Sequence, residues 1–405
     1  MRPVLSFVCA VMVAAGFQAC GDAASDTDEQ PSSATAGGFG GAGGVGEQGG
    51  ANSTPSAGGQ GGAGGEAIVH SAAHGSASSV SGAGGGCQNV LPTIVTPPLL
   101  LSQTGLYVDP SGLKVSPFAR AYEPQWKLWA DGAEKLRYIY LPECGNIDTQ
   151  DMDDWQFPVG TRAWKEFSLS GKRLETRLMV KTGPNTKDIL YATYRWNEAQ
   201  TDATLVLGGE KNVLGTDHDI PDELGCKRCH GPYPAKGGVP SRFLGFGALQ
   251  LSHDGPGVTL STLLSEGRLS VPPAANFTVP GTSVERQALG YLHANCGSCH
   301  NDTSEGLLFP KFNARLKTTD ADVLNTGAYK TMVNQKTELF IGYGCDYRIA
   351  GGSTANSCSY FRMSERGTDN APNLKQMPPS ASEVVDVTGL GLLGAWIATL
   401  PAPAP

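Results

Sequence analysis

The sequence predicts an α+β protein: an antiparallel β-rich domain over residues 87–215, then a mainly α-helical region from residue 216 to the C-terminus. Two observations carry this prediction. Short segments rich in β-branched and aromatic residues, separated by turn formers, occupy the first part. In the second part, apolar residues recur at the three- and four-residue spacing of helices.

The N-terminus has the features of an export signal. Arg2 is followed by an apolar run and small residues, which predicts a signal peptide over residues 1–19. The run is too short to be a comfortable membrane span. Cys20 looks like the lipid-modified cysteine of a bacterial lipoprotein, and plain secretion is the alternative. The predicted location is therefore the bacterial cell envelope, with the protein lipid-anchored to a membrane.

Residues 20–86 are predicted to be a disordered tether. Glycine takes 20 of the 50 positions from Gly37 to Gly86, so this stretch cannot bury enough apolar surface to fold. The tether and signal also hold six of the acidic residues and one basic residue, so the net charge of −8 falls to about −3 for residues 87–405. A near-neutral folded part is not expected to bind nucleic acid.

Five strands are predicted in the β-rich domain. Within the third of them, Leu174–Lys181, even-numbered residues are apolar or Thr, whereas Glu175, Arg177 and Lys181 point the other way, as in a half-buried strand. The strands are Lys135–Leu141, Trp164–Ser170, Leu174–Lys181, Ile189–Trp196 and Ala203–Leu207. Helices are predicted at Val284–Ala294 and Glu383–Leu400.

The pentapeptide C-K-R-C-H at 226–230 recurs as C-G-S-C-H at 296–300. C-x-x-C-H is the attachment signature of c-type haem: the two thiols form thioethers to the vinyl groups, and the histidine is the proximal iron ligand. The sequence therefore predicts two covalently attached haems. The residues are Cys226, Cys229 and His230 for the first haem, and Cys296, Cys299 and His300 for the second.

The alternative for these motifs is zinc. A zinc ribbon places its two C-x-x-C halves roughly 15–20 residues apart, whereas 66 residues separate Cys229 from Cys296. Four cysteines remain in the folded part, and an even number in an oxidising compartment favours disulfides over buried thiols. Proximity in sequence favours the pairs Cys87–Cys144 and Cys345–Cys358.

The distal iron ligands are less well determined than the proximal ones. Met377 precedes two prolines, which keep it out of a helix, and it is the candidate for the second haem, with a packed loop methionine as the alternative. Met363 could serve either haem or only pack. For the first haem the candidates are His253, His218, His293, Met332, Met363 or an open position.

Residues 280–405 resemble a class I cytochrome c domain. The resemblance rests on Y-L-H-A-N-C-G-S-C-H, then Q-M-P-P, then the closing Trp-Ile helix. From Leu101 onward the chain also resembles a di-haem family of bacterial secreted lipoproteins with no assigned reaction, through segments such as L-W-A-D-G-A-E-K at 128–135. The resemblances imply a first haem segment over 216–280 and a cytochrome c-like domain over 281–405.

The function expected from these features is electron transfer by a di-haem c-type cytochrome, with a redox partner protein in the envelope and a membrane contact through the lipid. One alternative is a haem-dependent oxidoreductase or peroxidase that uses an open first haem, because catalysis needs a vacant coordination position. Another alternative is a binding module formed by the β-rich domain, with the haems connecting it to an electron-transfer chain.

Overall fold

The computed structural model describes residues 87–111, 113–231, 242–302, 312–338, 343–367, 375–379 and 382–405, with Arg228 described by its backbone alone. The predicted signal peptide, the lipidation site at Cys20 and the tether up to residue 86 lie outside these residues. The described residues all belong to one compact unit. The predicted limits at residues 215 and 280 therefore stay predictions.

The β-structure is a meander of six antiparallel strands in the order β3-β4-β5-β6-β7-β8, with a separate two-stranded sheet of β1 and β2. The five predicted strands are confirmed as β4 to β8, with ends moved by at most two residues. The strands are β1 Tyr107–Asp109, β2 Lys114–Val115, β3 Arg120–Ala121, β4 Glu134–Tyr140, β5 Arg162–Leu169, β6 Lys172–Lys181, β7 Ile189–Trp196 and β8 Ala203–Val206.

Both faces of the six-stranded sheet are covered. On one face, Trp164 and its neighbours pack against Leu101 and Leu106 from the chain before the sheet. On the other, Met179 packs against Phe243 and Phe246 from the chain after it. The half-buried strand predicted at β6 is therefore wrong, since Glu175 is 0% and Lys181 3% exposed.

The predicted mainly α-helical, cytochrome c-like region is also wrong: helix accounts for only 23% of the described residues, and the fold is β-rich. The helical spacing was present in two segments, and only these form long helices, of 13 residues each. Between them lie Gly- and Pro-rich segments that favour turns. The helices are α1 Glu223–His230, α2 Ala248–Leu251, α3 Leu260–Ser265, α4 Ser283–Asn295, α5 Gly327–Met332, α6 Cys358–Ser364 and α7 Val387–Thr399.

The two long helices, α4 and α7, form the core of the C-terminal part. Thr282 and Glu285 make a capping box at the start of α4, and Asp386 caps α7 through the Gly389 N–H. Gly389 lies against the ring of Tyr291, where a Cβ would come within 2.3 Å of ring atoms, so only glycine permits this approach. The helix α4 is thereby held in place directly before the second pentapeptide.

Two disulfides close loops of the fold. Cys87–Cys144 ties the start of the described chain to the loop after β4, with the Cα atoms 5.5 Å apart. Cys345–Cys358 joins the loop before α6 to the first residue of that helix, with the Cα atoms 5.3 Å apart. These are the two pairs that the sequence favours.

Candidate functional site

The two pentapeptides both lie where a helix ends. The first forms the second half of α1, whose N-cap Asp222 accepts the Gly225 N–H at 2.7 Å. The second follows α4 as a tight turn, in which the His300 N–H donates to the Cys296 carbonyl at 2.8 Å. All four motif cysteines are thiols in the structure rather than disulfides.

The two motifs meet at their second cysteines. The Cys229 thiol and the sulfur of Cys299 form a hydrogen bond, which lowers the pKa of Cys299 to about 7 and raises that of Cys229. Burial raises the pKa of Cys296 to about 12. Since the thiolate is the nucleophile, this hydrogen bond favours nucleophilic reactivity at the Cys229–Cys299 pair over Cys296. The structure thus brings together two motifs that lie far apart in sequence.

His230 is held as a neutral imidazole with a defined tautomer. Its Nδ1 lies 2.8 Å from the Arg242 carbonyl oxygen, which can only accept, so the proton is on Nδ1. The Arg242 N–H in turn donates to the His230 carbonyl at 3.0 Å. Burial, followed by the charge of Lys165, lowers the pKa of His230 to about 3. The Nε2 lone pair is therefore the available ligand, in the arrangement typical of metal-binding histidines.

His300 is held by stacking. Its ring lies 4.0 Å from that of Phe312, with 15° between the planes, and the side chain is 7% exposed. Burial, followed by the charge of Arg362, lowers the pKa of His300 to about 4, so this imidazole is neutral as well. The His300 carbonyl accepts the Ala314 N–H at 2.9 Å.

One carboxylate, Asp154, joins the segments that follow the two motifs. It accepts hydrogen bonds from Arg242 at 2.5 and 3.2 Å and from Arg315 at 2.9 and 3.0 Å. Arg242 carries the carbonyl that holds His230, and the backbone of Arg315 packs directly on Gly297 of the second motif. Asp154 therefore fixes the placement of one motif relative to the other.

A row of cations lies on the sheet face next to the first motif. Arg137 of β4, Lys165 of β5 and Arg177 of β6 are directly opposite one another in the ladder. Burial, followed by the charges of the two arginines, lowers the pKa of Lys165 to about 7. Arg177 is paired with the buried Glu175 at 2.5 and 2.9 Å. On the same face, the Tyr191 hydroxyl donates to the Gly231 carbonyl at 2.7 Å, which binds the end of the motif to β7.

The candidate distal histidines are already engaged in other bonds. His253 accepts the Gly255 N–H at 2.8 Å on Nδ1 and donates from Nε2 to the Glu123 carbonyl at 2.7 Å. His293 accepts the Leu316 N–H at 3.1 Å on Nδ1, so its Nε2 carries the proton. The His218 Nε2 lies 2.7 Å from Glu175. In this arrangement all three have structural roles.

The candidate methionines lie in two environments. Met332 and Met363 are 1% and 7% exposed and pack in the C-terminal core with Trp396. Met377 is half-buried in a loop, and its N–H donates to the Arg362 carbonyl at 2.8 Å. The charge of the Arg362 side chain lowers the pKa of His300, so Arg362 links the Met377 loop to the second motif.

The chemistry of the donors fits haem c. Each motif offers two thiols followed by a neutral imidazole, and His230 presents Nε2 with its other nitrogen held by a carbonyl. Among the residues that the structure describes, no group of three or more His, Cys, Asp or Glu side chains could hold a metal ion. Within the same residues, no helix is long and apolar enough to cross a bilayer.

Neither the family models, nor the curated proteins, nor the solved structures match this chain. The site is therefore interpreted from its own residues. Sequence reasoning missed the Asp154 clamp and the cation row. The predicted alternation in β6 did place Arg177 on the face opposite Leu174. The sequence did not show that the chain after the sheet covers this face.

Proposed function

We propose that the chain is a di-haem c-type cytochrome that transfers electrons. Cys226 and Cys229 would hold one haem with His230 as proximal ligand. Cys296, Cys299 and His300 would hold the second, with Met377 as its distal ligand. When bound, haem supplies one-electron chemistry at iron. The protein supplies two neutral imidazoles and fixed positions for both attachment points.

The observation that carries this proposal is the contact between Cys229 and Cys299. In haem c these sulfurs are bonded to the edge of the porphyrin, so sulfur contact supports fast electron exchange between the two haems. The Asp154 clamp supports the same conclusion, since it ties both motif segments to one carboxylate. Rigid placement reduces the rearrangement that accompanies each transfer.

The proposal includes export and a partner. Four of the described cysteines form two disulfides, which persist in oxidising compartments, and the other four belong to the motifs. We place the protein in the bacterial cell envelope, anchored by lipid on Cys20, with a redox partner protein as electron donor or acceptor. The Gly-rich segment before residue 87 would hold the folded part away from the membrane.

The test is a comparison of transfer with turnover. Anaerobically reduced protein is mixed with an oxidised small cytochrome, and its reoxidation is followed optically. In parallel, hydrogen peroxide consumption is measured. Electron transfer predicts rapid reoxidation, with peroxide turnover no faster than that of a small cytochrome. Slow reoxidation combined with peroxidase turnover that is lost in His230→Ala would refute the proposal.

A second candidate function is haem-dependent oxidoreductase or peroxidase chemistry at the first haem. It is favoured by one observation: the ring nitrogens described for His218, His253 and His293 are engaged, which disfavours all three as distal ligands. An open position would make iron high-spin and accessible to substrate. EPR of the oxidised protein separates the candidates, because two low-spin signals support a carrier and one high-spin signal supports the enzyme.

A further inference from the structure

The row of cations on the sheet face has an unusual arrangement of charge. Arg137 is the direct neighbour of Lys165, and Lys165 is the direct neighbour of Arg177. Like charges directly opposite each other in a sheet are destabilising. With adjacent strands roughly 4.8 Å apart, the row extends for roughly 10 Å across the sheet. Such a row is expected only where something compensates its charge.

Among the residues that the structure describes, an ion pair is present at one end of the row alone, and Glu123 acts on Arg137 only through its charge. Glu175 neutralises Arg177 through two hydrogen bonds of 2.5 and 2.9 Å. The Lys165 ammonium has no hydrogen bond or ion pair with any residue that the structure describes. Arg137 is 4% exposed, and its guanidinium donates to the Lys135 carbonyl at 3.3 Å. Positive charge is therefore concentrated at the buried Arg137 and the half-buried Lys165.

The two ends of the row face different parts of the site. Arg177 acts electrostatically on the thiols of Cys226 and Cys229, and Lys165 acts on them less strongly. Arg137 and Lys165 line a small cavity, together with Pro124, Trp126, Leu128, Leu244, Gly245, Gln250 and Ala294. The row thus leads from the attachment cysteines to a mainly apolar cavity with two cations in its wall.

We propose that Arg137 and Lys165 form a carboxylate-binding site that takes a propionate of the haem attached at Cys226 and Cys229. This inference rests on the proposed function and names the residues that orient the first haem. A haem c group carries its carboxylates on the edge remote from the thioethers. The row runs in the same direction as the haem: Arg177, which is paired with Glu175, lies at the thiols, and Arg137 and Lys165 lie at the cavity.

The choice of residues suits a carboxylate. The planar guanidinium of Arg137 can bind both oxygens of one carboxylate, and Lys165 adds a compact charge beside it. Bound there, the anion would compensate the repulsion within the row. The cations in turn would raise the reduction potential of the first haem, because they favour the form of the iron with one positive charge fewer.

The test uses a charge-removing variant, Lys165→Met, and a charge-keeping variant, Lys165→Arg. The control is Lys172→Met, which removes the same charge from a site where Lys172 pairs with Glu198 at 2.8 Å. The potentials of both haems are measured by spectroelectrochemistry at pH 6, below the pKa of Lys165 of about 7, and at fixed ionic strength. Lys165→Met is expected to make the equilibrium constant for reduction of one haem about tenfold smaller, which lowers its reduction potential by about 59 mV for one electron. The other two variants should leave both potentials unchanged.

Arg137→Gln is expected to lower the same potential, so the test survives if one variant does not fold. Two covalent haems with unchanged potentials in both Lys165→Met and Arg137→Gln would refute the carboxylate site and leave the proposed function standing. An equal fall in Lys172→Met would also refute the site, as a general effect of net charge. Wild-type protein without haem at Cys226 and Cys229 would refute both proposals.

Discussion

The Asp154 clamp allows the sharpest test of how the two motifs are held together. Asp154→Ala leaves Arg242 and Arg315 without their shared carboxylate. Both arginine side chains are 13% exposed or less, so water replaces the lost partner poorly. Removing one partner from a buried ion pair costs about 3–5 kcal/mol. Because Asp154 is 18% exposed, we expect the lower end, about 3 kcal/mol. For a folded part of this size, that lowers the melting temperature by roughly 6 °C.

The pH dependence of this effect follows from the pKa of Asp154. Burial alone would raise that pKa, but hydrogen bonds from Arg242 and Arg315 outweigh burial and lower it. A carboxylate whose pKa is depressed on folding contributes its full stability above its unfolded pKa, about 3.9. The stability difference between wild type and Asp154→Ala should therefore be constant at neutral pH and shrink as pH falls below about 4.

The assay is thermal unfolding of the full haem-loaded chain between pH 3 and 7, combined with EPR of both haems. The matched control is Glu266→Ala, which breaks the half-exposed Arg120–Glu266 pair of 2.7 Å and is expected to cost at most about 1 kcal/mol. Because Arg242 also holds His230, the EPR signal of the first haem should broaden in Asp154→Ala alone. Equal melting temperatures for the two variants, with unchanged EPR, would refute the clamp.

Three further predictions concern individual residues. Met377→Ala should lower the potential of one haem and abolish the near-red Met–iron band, and an unchanged spectrum would instead point to Met363. Gly297→Ala should lower the free energy of unfolding by about 1–3 kcal/mol and impair the second motif, because its Cβ would lie 2.6 Å from the His293 carbonyl oxygen. The control, Lys227→Ala at the matching position of the first motif, should change it by less than about 0.5 kcal/mol. Both are measured by denaturant unfolding. Cys20→Ala should abolish labelling by radioactive fatty acid, whereas label in neither this variant nor wild type would indicate plain secretion.

Local sequence patterns were sufficient for the strands and the two long helices. In β4 to β8 the β-branched and aromatic residues, with turn formers between them, place each strand within two residues of its observed ends. The prediction for α4 is as close, with both ends within one residue, whereas the helix predicted from Glu383 begins only at Val387 in α7. The error lay in extending helix to the chain between them, where Gly and Pro leave short helices, turns and isolated bridges.

The site was only half accessible from the sequence. The pentapeptides single out four cysteines and two histidines without a structure, because the C-x-x-C-H spacing by itself predicts haem attachment. Their meeting at Cys229 and Cys299, and the link through Asp154, depend on contacts between segments more than 60 residues apart. The sequence predicted that Glu175, Arg177 and Lys181 face solvent, because a strand with alternating polarity does not show what covers its polar face.

Intact mass of the exported protein, produced together with a haem-attachment system, tests the central claim most directly. We expect a mass increase of two haems per chain, one of them lost in a Cys226→Ala, Cys229→Ala variant and the other in a Cys296→Ala, Cys299→Ala variant. A single addition, no addition, or zinc at the motif cysteines would contradict it.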